Sequence, residues 1–173
     1  MSIKNISIIL VVLIAVISRF VPHPPNFTPI IAIGLFSGFY LKKNKQLALL
    51  LPLSAMILSD IFLGFHLISL FVYFSLAVIT AVGFLIPNKN KFLTLFPATL
   101  GSSLIFFIIS NFGVFIIGYP NNLAGFIACY TAAIPFFQNS LAADILFTGV
   151  IFLSYDIIAR SVPQLQSETI NQK

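Results

Sequence analysis

The stretch NLAGFIACYTAAIPFF, residues 122–137, decides the architecture of this chain: it is apolar enough to resemble its neighbours, yet Gly125 and Pro135 interrupt it. Counted as a full segment, it makes the last helix the seventh. Read as a subsidiary helix, it leaves six. Around it lie apolar runs at residues 6–19, 27–41, 46–64, 68–87, 93–118 and 139–159. The last four approach or exceed the roughly 20 residues that cross a bilayer. The first two are shorter and need flanking residues, local membrane thinning or a snorkelling Arg19 to do the same.

Composition sets the class. Hydrophobic residues make up 59% of the chain, charged residues 8%, and the mean hydropathy is +1.07, which excludes an ordinary soluble domain. The net charge of +5 would point to nucleic acid in a soluble protein, but here the lysines sit in short loops that orient helices, so no nucleic-acid partner is expected. Lys4, then Lys42, Lys43 and Lys45, then Lys89 and Lys91, and finally Arg160 all fall on the cytoplasmic side if the chain crosses six times. A seventh crossing would reverse the last helix and put Arg160 outside. The expected fold is therefore an all-α integral membrane protein, a bundle of six transmembrane helices with an extra re-entrant or surface helix over 122–137. It forms one transmembrane domain, residues 1–160, followed by a polar cytoplasmic tail, 161–173. The first run follows Lys4 as a signal peptide would, but no small-residue cleavage site follows it, so it is expected to stay attached.

This orientation gathers the rare polar groups of the apolar segments at one end. Arg19, the loop 21–26, Asp60, His66, Asn111, Tyr119 and Asn139 fall toward the outer face, with Asp144 about a turn further in. A charge in the bilayer core costs roughly 2.5 to 3.5 kcal/mol on insertion scales, so each such residue calls for a partner or a watery cavity. Arg19 can satisfy one carboxylate. Two ionised acids near one base leave negative charge over, which a cationic solute or a proton would have to balance. A purely structural network, with Arg19 tying Asp60 or Asp144 across helices, is the plainer alternative.

In RFVPHPPNFTP, residues 19–29, Pro22, Pro24 and Pro25 predict a stiff extended loop that holds His23 over a cavity. Asn26 or Thr28 is placed to cap the next helix, with Pro29 in its first turn. Asp156 and Arg160 have the spacing of a helix-face ion pair. Gly34 and Gly38, and likewise Ala124, Ala128 and Ala132, recur at an interval that lets helices approach closely. Cys129 is the only cysteine, which leaves no intramolecular disulfide or cysteine metal cluster. Phosphate-loop, HExxH zinc, nucleophile-elbow and dinucleotide motifs are all missing, and so is a clear inverted repeat. No enzyme activity, metal or cofactor is expected.

The segments RFVPHPPNFTPIIAIGLFSG, PLSAMILSDIFLG, SSLIFFIISNFGV and CYTAAIPFFQNSLAADILFT resemble a family of uncharacterised six-pass bacterial membrane proteins over nearly the whole chain. In size, helix number and topology that family looks like the substrate-binding S components of energy-coupling factor transporters. The resemblance implies a subunit of the bacterial cytoplasmic membrane, with both termini inside, that captures a small solute from outside. Its partners would be a transmembrane coupling subunit and ATPases. The ligand positions of that class do not carry over, so the candidate binding residues rest on the polar clustering alone: Arg19, His23 and Asn26 closing the cavity, and Asp60, Asn111, Asn139 and Asp144 lining it. A structural subunit whose polar cluster only locks helices, and an intramembrane enzyme using His23 and the two aspartates, are the competing expectations.

Overall fold

A computed structural model describes residues 13–161, and the side chains to residue 159. Lys4, the start of the first apolar run, the Arg160 side chain and the tail from 162 onward lie outside the described residues. All regular structure among them is helical. The described part of α1 covers residues 13–18. It is followed by α2 (Ile30–Tyr40), α3 (Lys45–Leu63), α4 (Ser69–Leu85), α5 (Lys91–Gly118) and α6 (Leu123–Ser161). Six helices are described where the sequence reading expected six spans and an extra helix, and the number of spanning lengths falls short as well. Among the described residues, three helices, α3, α5 and α6, are long and apolar enough to cross a membrane.

The shortfall has a physical reason in α2. Its 11 residues extend about 16 Å at 1.5 Å per residue, and all of them are buried. A helix that is apolar all round belongs inside a bundle, and α2 is enclosed by α3, α4, α5 and α6. Close packing makes this possible. A Cβ on Gly38 would stand 2.1 Å from the Thr80 carbonyl oxygen, and one on Gly83 would stand 2.6 Å from that of Leu35. Thus α2 and α4 cross backbone to backbone, the role expected of the Gly34 and Gly38 spacing.

The stretch 122–137 is not a separate re-entrant or surface helix. It is the first part of α6, a single helix of 39 residues and about 58 Å that runs through Pro135. Proline leaves the carbonyl one turn before it unpaired, and membrane helices tolerate this where neighbours hold both sides. Here Tyr130 donates its hydroxyl to the Ile108 carbonyl at 2.8 Å before the proline, and Phe137 packs on Phe107 after it, ring centroids 4.7 Å apart. The other spanning-length helices also carry one internal proline each, Pro52 in α3 and Pro97 in α5. The Ala124, Ala128 and Ala132 stripe is exposed. The packed face is one residue along, at Gly125, Cys129 and Ala133.

Two ends result. The lysine end carries the short connections after α2 and α4. There Lys91 donates to Asp156 at 2.5 Å and Tyr40 donates to the same carboxylate at 2.8 Å, over a cluster of Phe36, Phe39, Tyr40, Phe152 and Tyr155 rings. Lys42 donates to the Ile86 carbonyl, and partial burial lowers its ammonium pKa. Asp156 thus meets Lys91 from α5 and Tyr40 from α2, while the expected partner on its own helix, Arg160, has its side chain outside the described residues. The opposite end carries the loop 19–29 and the connections after α3 and α5. Large apolar side chains such as Leu63, Phe74, Leu104, Ile127 and Leu153 cover the outside of the bundle.

Candidate functional site

The site lies at the end opposite the lysines and begins with a break in the chain. Arg19 and Phe20 close α1 with turn hydrogen bonds to Val16 and Ile17, and the prolines then carry the backbone across the bundle. The loop is not extended throughout. Phe27 N–H bonds the Pro24 carbonyl at 3.0 Å, and Asn26 adopts a left-handed φ of 63°. Asn accepts that conformation better than most residues because its short side chain finds local hydrogen bonds. Neither Asn26 nor Thr28 caps α2. Pro29 itself holds the cap position, without a side-chain hydrogen bond, and its carbonyl receives Ile33 N–H at 2.9 Å. Asn26, exposed and free of the capping role, instead lines both cavities below the loop.

Two cavities lie beneath this loop. The first, about 270 Å³, is roofed by Arg19, His23, Asn26 and Thr28 and floored by Ser140 and Asp144. The second, about 200 Å³, is walled by Phe106, Phe107, Phe136 and Phe137, with Ser110 and Asn111 as its polar groups. They share Asn26, Val72, Phe106 and Ser140, so they adjoin. His23 is exposed at the rim, its Nδ1 2.8 Å from the Pro24 carbonyl oxygen.

The two carboxylates of this end are held very differently. Asp60 is 3% exposed and fully engaged: Arg19 Nη1 donates to Oδ1 at 2.6 Å, and Tyr73 donates to Oδ2 at 2.5 Å. The same Arg19 nitrogen reaches Ser59 Oγ at 2.5 Å. This network ties the end of α1 to α3 and α4 and stands behind the cavity wall. Asp144 is 1% exposed, and a hydroxyl, Ser103 Oγ, donates to its Oδ2 at 2.6 Å. Among the described residues no cationic side chain pairs with it. The register of antiparallel α5 and α6 explains its place. The alignment that sets Lys91 against Asp156 at one end sets Ser103 against Asp144 at the other, and Thr99 level with Thr148 between them. Thr148 Oγ1 and Ser102 Oγ are buried there without hydrogen-bond partners.

Of the residues expected from sequence, Arg19, His23, Asn26 and Asp144 meet around the first cavity and Asn111 lines the second. Asp60 is a buttress behind Arg19. Asn139 lines neither cavity; its neighbour Ser140 lines both. Sequence reasoning missed Ser140, Ser103 and Tyr73. Ser103 had a usable signal, as a serine pair in an apolar helix facing a lone acid, while the others have residue types too common in such helices to stand out. Asn111 donates Nδ2 to the Phe107 carbonyl at 2.8 Å and keeps its side-chain oxygen as an acceptor.

Searches of curated proteins and of solved structures found no match for the chain. They therefore add nothing to the likeness with energy-coupling S components. A protein-family model does match, over residues 1–165, and by that match the chain belongs to DUF6580, a family of unknown function.

Proposed function

We propose that this protein is a membrane-embedded solute-binding subunit of a transporter, similar in plan to an S component. The observation that carries this reading is the pair of adjoining cavities, roofed by a proline-bounded loop and floored by a buried carboxylate that, among the described residues, accepts from one hydroxyl. Apolar walls with a few fixed polar groups are the usual makeup of a small-molecule site. On this reading the chain lies in the bacterial cytoplasmic membrane, with the lysine end and both termini in the cytoplasm. The first helix and the shorter α2 and α4 complete the crossings alongside α3, α5 and α6. With no nucleotide motif of its own, the subunit draws energy from a coupling subunit and ATPases.

The Arg19, Asp60 and Tyr73 network favours a second reading, a structural or assembly subunit whose polar groups only lock helices. Native mass spectrometry of protein released from nanodiscs separates the two. Solute binding predicts a retained small molecule that is lost in Ser140→Phe, which fills the shared wall, while the melting temperature is kept. Absence of any retained molecule, together with tight association to another membrane protein, selects the structural subunit.

A further inference from the structure

We infer that the solute carries a protonated amine that pairs with Asp144, joined to a flat apolar body lodged among the phenylalanines of the second cavity. This rests on the solute-binding reading and gives that site a substrate class. The charges around the first cavity lead to it. Its lining holds Arg19, whose Nη1 is already committed to Asp60, and Asp144, which no basic side chain among the described residues meets. His23, the other titratable lining group, stands exposed at the rim against the Pro24 carbonyl, away from the floor. With Arg19 and Asp60 neutralising each other, an ionised Asp144 leaves the cavity with one uncompensated negative charge. A carboxylate can accept several hydrogen bonds, and among the described residues Asp144 receives one, from Ser103. An ammonium group entering from the cavity supplies both the missing charge and further donors.

The second cavity sets the rest of the molecule. Its shared wall with the first places Phe106 beside both, where its ring can face a cation and begin an aromatic lining. Phe107, Phe136 and Phe137 continue that lining, and Ser110 with the free Asn111 oxygen closes it with polar groups. The matching ligand is elongated: an amine at one end, an aromatic or similarly flat body, and a hydroxyl or N–H at the other end.

Three analogues that share a 4-hydroxyphenyl body and differ in the end group, cationic, neutral or anionic, provide the test. Isothermal titration calorimetry on the full chain in nanodiscs compares tyramine, its neutral alcohol tyrosol, and the anion 4-hydroxyphenylacetate. Tyramine is expected to bind about tenfold or more tightly than either of the others, the scale of one charge-assisted hydrogen bond. Asp144→Asn should abolish that preference at an unchanged melting temperature. Should Asp144→Asn fail to fold, Ser140→Leu keeps the charge and blocks the space beside it, and it should abolish tyramine binding. Equal or tighter binding of tyrosol or of the anion overturns the amine assignment, though solute capture by the cavities would stand. A preference for tyramine that survives Asp144→Asn also overturns it, as does tyramine binding that survives Ser140→Leu. So does the absence of binding by all three.

Discussion

Asp60 and Asp144 are two carboxylates buried to the same degree at the same end of one bundle, yet the first is saturated and the second nearly bare. Arg19 and Tyr73 meet both oxygens of Asp60, with Ser59 beside them on the same arginine. Among the described residues Ser103 alone donates to Asp144, next to open space. A buried acid with a full set of donors is a fastening, because removing either partner strands a charge. A buried acid with one donor, against a cavity, keeps bonding capacity to spare. The comparison teaches that burial alone does not tell the two carboxylates apart; the donors around each do.

The largest effect expected from this contrast is on Arg19. Arg19→Ala leaves Asp60 buried with Tyr73 as its remaining partner, and should cost about 3 kcal/mol, measured as unfolding in mixed micelles by a denaturing detergent. A loss below about 1 kcal/mol would mean that the pair is no fastening. Next comes the lysine end. Lys91 and Asp156 side chains are each 18% exposed, so water already screens them, and Asp156→Asn should cost about 1 kcal/mol in the same assay. A cost equal to that of Arg19→Ala would erase the distinction between a buried fastening and a half-wet one. The smallest effect is at Thr148. Its hydroxyl is buried without a partner, so Thr148→Val should be neutral or stabilise by about 1 kcal/mol. Destabilisation by that amount would show that the hydroxyl does have a partner in the membrane.

Reading the sequence recovered where the helices are far better than how they are turned. Apolar runs bounded by Pro29, Gly64 and the lysine loops placed α2 to α5 to within a few residues, and the scarcity of charge singled out Arg19, Asp60 and Asp144. The excess of acid over base correctly foresaw that one carboxylate would lack an arginine. Rotation about each helix axis was not legible. A helix that is apolar all round has no polar face to fix it, and one residue turns a side chain by about 100°. Two errors share that cause: Asn139 was chosen where Ser140 faces the cavities, and the Ala124, Ala128 and Ala132 stripe where Gly125, Cys129 and Ala133 pack. Pro135 misled for another reason. Its effect depends on α5 contacts on both sides of it, made by residues Ile108 and Phe107, which the local sequence does not reveal. The full burial of α2 likewise follows from its short length between Pro29 and Leu41 only once its four neighbours are in place.

The most direct test of the central claim, that Asp60 holds helices and Asp144 holds solute, measures stability and retained small molecule side by side in Asp60→Asn and Asp144→Asn. The account predicts that Asp60→Asn lowers stability by about 2 kcal/mol or more, the scale of a broken buried network. It predicts that Asp144→Asn keeps stability within about 1 kcal/mol and releases the solute. An Asp144→Asn variant that loses stability as Asp60→Asn does, while the solute stays bound or was never there, would contradict it.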